Sequence, residues 1–236
     1  MRLSRPAAIV AMLAAFAFSG TAQAKDEMPD NWDGLVKVKP KRMDAAYVAP
    51  GADFRPYTKV MLDTPEVAFK KDWLRDVNDA SAGVSKDVSE EHAQKIAAAA
   101  RDGIEQVFKE TFEKAGIQVV TTPGTDVLRL FPGVANLYIN APDTMSAGRS
   151  RTYTTEAGEA TLVLEVRDST SGALLGRVLD RRETRNTGSV QWTTSVSNKS
   201  DFSQLFKQWA NICVKGFEEL KAQSPVPTDL QPNQKL

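Results

Sequence analysis

The sequence has very little of the two residue types that most often bind metals or form covalent links. It contains a single cysteine, Cys213, and a single histidine, His92. One cysteine cannot form a disulfide within the chain, and one histidine cannot supply the several imidazoles of a typical zinc site. We therefore predict a fold with no disulfide, no metal ion and no cofactor, with Cys213 as a buried apolar residue and His92 as a solvated surface residue.

Catalytic motifs are also missing. The sequence has no phosphate-binding loop ending in Gly-Lys-Ser/Thr, no Gly-x-Ser-x-Gly, no Ser-x-x-Lys and no His-Glu-x-x-His. The 30 aspartates and glutamates leave one catalytic alternative open, a hydrolase with two carboxylates facing each other across a cleft. Since no local spacing selects such a pair, the sequence favours a protein that is not an enzyme.

Neither sign of charge dominates the chain. It has 30 lysines and arginines against 30 aspartates and glutamates, and leaving out Arg2 and Arg5 at the N-terminus gives 28 against 30, a net charge of −2. No basic excess is available to neutralise phosphates, and no polybasic patch marks a membrane surface. The composition therefore argues against nucleic acid as a partner.

The chain has no apolar run of the roughly 20 residues that a membrane-spanning helix needs. Its apolar run at residues 7–18 comes after Arg2 and Arg5 and is followed by Ala22-Gln23-Ala24. This order is typical of a cleaved signal peptide, here residues 1–24. The next residue is Lys25 rather than the cysteine that a bacterial lipoprotein acylates. We therefore predict a periplasmic or secreted protein without a lipid anchor or a transmembrane segment.

Period-2 alternation predicts strands in the middle of the chain. Residues 160–167 alternate apolar and polar side chains, and residues 174–184 return after a five-residue turn. Residues 127–131 predict another strand, which we expect Pro132-Gly133 to end. Because polar residues occupy one face of these strands, an antiparallel sheet with one wet face is favoured.

Two stretches place apolar residues at every third or fourth position, the pattern of a helix that buries one face. The first covers Asp87–Ala115, with a capping box of Asp87 and Glu90 and Gly116 as a left-handed stop. The second covers about Asp201–Leu220, with Ser200 or Asp201 as its cap.

These segments together predict the α+β class, as a two-layer sandwich with a mainly antiparallel sheet and two long helices on one face. We expect a signal peptide at residues 1–24 and a single α+β domain at residues 25–222. Residues 223–236 contain three prolines and few apolar residues, so a flexible tail is expected there.

Three residues are candidates for contact with a ligand or partner: Asp180, Arg182 and Trp209. Alternation along its strand turns Asp180 inward, where a carboxylate needs an arginine or a backbone amide as partner. Trp209 belongs to the apolar stripe of the second helix, which is the usual pattern of a helix packed on a sheet. The structural interpretation of these residues is therefore favoured over a binding site.

Several turn and strand segments are similar to those of a bacterial family, the domain of unknown function 3313. The segments are Trp32-Asp33-Gly34-Leu35, Tyr47-Val48-Ala49-Pro50-Gly51, Gly158-Glu159-Ala160, Asp168-Ser-Thr-Ser-Gly172, and Gly176-Arg177 with Asp180. The resemblance runs from about Trp32 to Leu220 and implies a protein of the cell envelope, typically a lipoprotein. The chain departs from the family in lacking the acylated cysteine, and the resemblance implies no activity and no site residues.

These observations favour an exported, non-enzymatic protein that binds or adapts an unknown protein or ligand of the cell envelope. Two alternatives stay open. One is the envelope hydrolase that uses carboxylates. The other is a periplasmic protein that binds a small ligand between sheet and helix, which predicts an apolar cavity lined by residues such as Phe206 and Trp209.

Overall fold

The computed structural model describes residues 28–81, 87–140, 153–154, 158–184, 191–192 and 195–236. The predicted signal peptide lies outside the described residues. The helices are α1 (Trp73–Ser81), α2 (Glu90–Lys114) and α3 (Ser195–Ala222). The strands are β1 (Asn31–Trp32), β2 (Leu35–Val38), β3 (Ala45–Val48), β4 (Lys59–Leu62), β5 (Glu66–Phe69), β6 (Gln118–Val120), β7 (Val127–Ile139), β8 (Tyr153–Thr154), β9 (Gly158–Asp168), β10 (Leu174–Glu183) and β11 (Gln191–Trp192).

Nine of the described strands form one sheet in the order β1-β2-β3-β10-β9-β7-β4-β6, and β5 pairs with β7 beyond the end of β4. The predicted α+β class is confirmed. The sheet is mixed: five of its eight strand pairings are antiparallel, as expected, but β4 runs parallel to both β6 and β7, and β5 runs parallel to β7. The reason is the long connection through α2, which returns the chain to the end of the sheet from which β4 started.

Pro132 and Gly133 do not end β7, contrary to the sequence-based expectation. The strand is continuous through both residues and pairs with β9 along its length. On its other side, pairing with β4 stops at Leu130 and pairing with β5 starts at Gly133, so Pro132 lies between the two neighbours. A Cβ on Gly133 would lie 3.3 Å from the carbonyl oxygen of Val163 on β9, so the close approach of the two strands favours glycine at this position.

Both long helices are present, with boundaries that differ from those predicted. The N-cap of α2 is Ser89, whose hydroxyl accepts a hydrogen bond from the His92 amide, and Asp87 lies outside the helix. Ser89 provides the acceptor that the first free amides of the helix need, so the prediction of a capping box at Asp87 is wrong. Gly116 has φ +81°, which confirms the left-handed stop. Helix α3 begins at Ser195, nearly two turns before the predicted caps at Ser200 and Asp201.

The main core is formed jointly by residues of the sheet and of the two long helices. Buried residues of α2, of α3 and of alternate positions on the strands belong to one cluster. They include Ile104, Phe108 and Phe112 of α2, Phe202, Leu205, Phe206 and Trp209 of α3, and Leu162 and Leu164 of β9. A smaller cluster of Leu35, Ala45 and Tyr47 lies on the opposite side of β2 and β3.

Residues 223–236 are not a flexible tail, and this expectation is corrected. Val226 and Leu230 are buried at 2% and 5% exposure. The Val226 amide donates to the carbonyl of Ala52 at 2.8 Å, and Gln234 forms a parallel bridge with Val38 of β2. The two apolar side chains and the backbone bonds anchor the segment, even though prolines make it irregular.

Candidate functional site

The three residues singled out from the sequence meet in one cluster between β10 and α3. Asp180 is buried at 3% exposure. Its Oδ2 accepts hydrogen bonds from Trp209 Nε1 at 2.8 Å and from Arg182 Nε at 2.5 Å. Its Oδ1 accepts one from the backbone amide of Asp44 at 3.2 Å. The inward orientation of Asp180 is confirmed, and the carboxylate has the donors that a buried charge needs.

The cluster fixes a loop, residues 39–44, that joins β2 to β3. Asp44 Oδ2 accepts a hydrogen bond from the backbone amide of Arg181 at 2.8 Å, while the Asp44 amide donates to Asp180. Arg182 Nη2 donates to the carbonyl of Arg42 at 3.1 Å. Asp180 and Arg182 therefore hold loop 39–44 against β10, and Trp209 donates to the Asp180 carboxylate. A direct role for the three residues in binding stays a prediction.

Loop 39–44 in turn presents two cations to α3. Lys41 Nζ lies 3.2 Å from Glu219 Oε2, and Arg42 Nη1 lies 2.9 Å from Glu219 Oε1. The hydrogen bond from Arg42, together with that from Lys41, holds the pKa of Glu219 below its usual range, although partial burial opposes the shift. At the start of the loop, the Lys39 amide donates to the carbonyl of Gln234 at 2.9 Å.

An open polar cleft of about 630 Å³ lies on one side of loop 39–44. It is lined by residues of the loop, of the end of β10 and by Gln208 of α3. Asp44 and Asp180 are both in its wall, but each accepts hydrogen bonds from fixed donors. Because their oxygens are already occupied by these donors, the cleft gives little support to carboxylate hydrolysis.

An apolar cavity of about 160 Å³ lies on the other side of the loop, between the sheet and the C-terminal half of α3. From α3 it is lined by Ile212, Cys213, Gly216 and Phe217, and from the sheet by residues such as Leu164 and Val178. A cavity of about 150 Å³ with similar apolar walls is large enough to bind benzene. The lining also includes Glu219 and three exposed cations of loop 39–44, Lys39, Lys41 and Arg42. Because these cations are exposed, we call this charged edge the mouth of the cavity, and the four residues its rim.

Gly216 lines this cavity and was not among the residues that the sequence singled out. A Cβ added at Gly216 would have no atom within 4 Å. By contrast, a Cβ on Gly103 of α2 would meet the ring of Phe206 at 3.5 Å, an ordinary contact. The available signal was the position of Gly216 on the apolar stripe of α3, three residues after Cys213, where a large side chain is expected.

The cavity is not where the sequence suggested. Phe206 and Trp209 are 2% and 0% exposed and stack on each other, with ring centroids 6.0 Å apart. They fill the core beside the N-terminal half of α3, so the expectation that they line a cavity is wrong. The cavity begins one turn later, at Ile212 and Cys213, because the side chains there are smaller.

Cys213 and His92 have no sign of catalytic activation. Cys213 is half-buried rather than fully buried as predicted, because it lines the cavity. The burial of its thiol raises the pKa of that group to about 12, with a further contribution from the charge of Asp180, so the thiol is protonated at neutral pH. His92 lies in the first turn of α2, next to two glutamates. Among the described residues, no group of three or more His, Cys, Asp or Glu side chains is placed to hold a metal ion. No helix in the same part of the chain is long and apolar enough to cross a membrane.

A second charged network lies on the face of the sheet opposite the cavity. Arg177 of β10 is 6% exposed. Its Nη2 lies 2.5 Å from Glu165 Oε1 and 2.9 Å from Asp33 Oδ2. The guanidinium carbon lies 4.0 Å from the centre of the Trp32 ring. These contacts tie β1 and the following turn to the middle of the sheet.

Comparison with solved structures finds several bacterial proteins with limited similarity. A PelC dodecamer from Paraburkholderia phytofirmans gives a TM-score of 0.35 at 12% identity, covering 71% of this chain and 94% of that chain. A Xanthomonas campestris protein assigned to DUF330 gives 0.35 at 14% identity, covering 74% and 91%. A minor lipoprotein from Acinetobacter baumannii gives 0.32 at 11% identity, covering 71% and 94%.

A search of curated protein sequences finds no match. One family model matches the greater part of the chain, residues 25–212, and its description is "Protein of unknown function (DUF3313)". The match includes the strands of the sheet, loop 39–44 and Asp180, and it ends at Ile212, the first cavity-lining residue of α3. The chain therefore belongs to the DUF3313 family.

Proposed function

We propose that this protein is a non-catalytic binding protein of the cell envelope, and that it holds a small apolar ligand in the cavity between the sheet and α3. The observation that carries the proposal is the cavity itself, about 160 Å³ with apolar walls. Ligand sites are typically concave and mostly apolar, with a few polar groups at defined positions. Loop 39–44 supplies such groups at the mouth.

The energetic cost of an empty cavity supports a functional role. Protein cores are close-packed, and a gap with apolar walls lowers stability relative to a filled one, by less here than in an enclosed core because this cavity is open at loop 39–44. A single larger side chain in place of Gly216 would recover much of this energy, since a Cβ there meets no atom within 4 Å. Because one substitution could fill part of the cavity, the presence of glycine at position 216 is consistent with a cavity that serves to bind a ligand.

Export is part of the same proposal. Residues 1–24 have the order of charged, apolar and small residues of a signal peptide, and Lys25 follows them in place of an acylated cysteine. We expect the mature protein to begin at Lys25 in the periplasm or outside the cell, and N-terminal sequencing of the protein from its native host checks this. A mature chain retaining residues 1–24 would contradict it.

The proposed arrangement for the fold is the two-layer one, with α2 and α3 together on one face of the sheet. It is supported by the single core cluster that residues of both helices share with alternate residues of β7 and β9. In this arrangement the cavity is a local gap in the layer interface, and it opens toward loop 39–44.

The test of ligand binding uses benzene as a neutral probe of matched size, measured by isothermal titration calorimetry. Wild-type protein is expected to bind benzene, and Gly216→Leu, which fills the cavity, is expected to lose binding. Lys215→Leu is the matched control, because Lys215 is exposed on the same helix and does not line the cavity. Equal benzene binding by wild type and Gly216→Leu, or no binding by wild type, would contradict the proposal.

A further inference from the structure

We infer that the ligand of this cavity is an amphiphile with one short alkyl chain and an anionic head group, the chain in the cavity and the head on Lys41 and Arg42. The inference rests on the proposed function, because it takes the cavity as the binding site. It adds a class of ligand that the apolar walls alone do not define.

The charge of the mouth favours an anion. Three cationic side chains, Lys39, Lys41 and Arg42, line the rim beside one carboxylate, Glu219. Lys41 and Arg42 both contact Glu219, and each keeps 40% of its side chain exposed. Ion pairs with this exposure are weak, so the two cations can exchange Glu219 for a ligand carboxylate, sulfate or phosphate at little cost.

The backbone of the mouth is fixed before any ligand arrives. Asp180 and Arg182 hold Asp44 and Arg42 of the loop through the hydrogen bonds described above. At the other end, the Lys39 amide is bound to the carbonyl of Gln234. A rim whose backbone is held at both ends loses little conformational freedom when an anion binds between its side chains. This gives the predicted cluster of Asp180 and Arg182 an indirect, positioning role in binding.

The volume sets the length of the chain. Because a cavity of about 150 Å³ holds the six carbons of benzene, a cavity of about 160 Å³ holds an alkyl segment of about six carbons. One or two further carbons would span the rim and bring a head group to Lys41 and Arg42. An amphiphile of about eight carbons is therefore the expected best fit.

The experiment compares three probes with the same alkyl chain by isothermal titration calorimetry: octanoate, 1-octanol and octyltrimethylammonium. Octanoate is expected to bind about tenfold tighter than 1-octanol, and the cation more weakly than either. Raising the salt concentration is expected to weaken the binding of octanoate and to leave the affinity for 1-octanol unchanged. If the three probes bind equally, or if octanoate binding does not depend on salt, the inference about the head group is overturned while the proposed function stands.

Variants of the rim assign the effect to named residues. The double variant Lys41→Met/Arg42→Met is expected to lower octanoate affinity about tenfold and to leave 1-octanol affinity unchanged. Lys215→Met is the matched control, since Lys215 is exposed and outside the rim. Glu219→Gln, which removes the competing carboxylate, is expected to raise octanoate affinity. An unchanged octanoate affinity in the double variant overturns the inference, whereas failure of 1-octanol and benzene to bind wild type overturns the proposed function as well.

Discussion

Replacing Asp180 by alanine tests how the region around the cavity mouth is held together. The substitution removes the acceptor of the Trp209, Arg182 and Asp44 donors. Trp209 is 0% exposed, so its N–H is left buried without that acceptor, which costs about 1–3 kcal/mol. Breaking a fully buried ion pair costs about 3–5 kcal/mol. Because the Arg182 side chain is 31% exposed and can turn to water, we expect the low end, a loss of about 3 kcal/mol in the free energy of unfolding.

Two further variants separate the charge from the hydrogen bonds. Asp180→Asn keeps the shape but offers one oxygen and one NH₂ group, so it cannot accept from donors on both sides, and we expect a loss of about 1–2 kcal/mol. Trp209→Phe removes one donor while keeping most of the ring. In a double-mutant cycle, Asp180→Ala and Trp209→Phe are expected to be non-additive by about 1 kcal/mol, because the two side chains share a hydrogen bond.

The assay is urea unfolding at pH 7 followed by far-UV circular dichroism, which does not depend on the tryptophan being changed. The matched control is Asp126→Ala, whose carboxylate is 40% exposed and paired with Lys59 at 2.9 Å. It is expected to lower the free energy of unfolding much less than Asp180→Ala does, because ion pairs with this exposure are weak. The explanation of the cluster is refuted if Asp180→Ala costs no more than the control, or if the effects of Asp180→Ala and Trp209→Phe simply add.

Gly216→Ala is expected to raise the free energy of unfolding by about 0.5–1 kcal/mol, because the added Cβ enters open space in a helix. Gly103→Ala in α2, where the added Cβ meets the Phe206 ring, is the control. A lower urea midpoint for Gly216→Ala than for wild type would contradict the presence of open space at this position. Cys213 is expected to react with Ellman's reagent at pH 8 only after urea is added, since burial raises its pKa to about 12; fast reaction of the folded protein would show that the thiol is accessible. Burial raises the pKa of Glu165, but the hydrogen bond from Arg177 and that from a second arginine lower it more, so the pKa lies below its usual value. The stability that the ionised Glu165 contributes is therefore present above pH about 4.3 and is lost as the pH falls. Glu165→Gln is expected to lose less free energy of unfolding than wild type between pH 6 and pH 3. Identical profiles of stability against pH for the two proteins would contradict this.

Much of the fold follows from local patterns that a sequence displays. The alternation in residues 160–167 correctly predicts β9, and the five-residue turn before β10 is present as expected. Gly116 ends α2 in the predicted left-handed conformation. Such features depend on residues close together in the chain, so composition and spacing are enough to identify them.

Features that depend on distant neighbours could not be predicted in this way. Pro132 is accepted in the middle of β7 because pairing with β4 ends before it and pairing with β5 begins after it. The three parallel pairings, which involve β4 and β5, follow from the path of the chain through α2. Val226 is buried because the carbonyl of Ala52 and the adjacent core are available to it. Each case is decided by tertiary packing, which overrides local preference.

The candidate site was partly predictable for the same reason. Alternation along β10 turned Asp180 inward, and the apolar stripe of α3 placed Trp209 against the sheet, so the two were correctly assigned to the interior. The cavity was not predictable, because an empty volume results from the absence of atoms contributed by several elements at once. Gly216 was the one local sign of it.

The bonds around loop 39–44 also determine the order in which the molecule can fold. Lys41 and Glu219 are 178 positions apart in the chain, and Asp33 and Arg177 are 144 apart. Contacts with such long sequence separation form slowly, since most of the chain must be present before they can close. If a chain crosses a membrane N-terminus first, its first strands therefore reach the far side before the residues that they contact near the C-terminus. The cavity, whose wall includes both Lys41 and Glu219, is completed only after α3 has arrived.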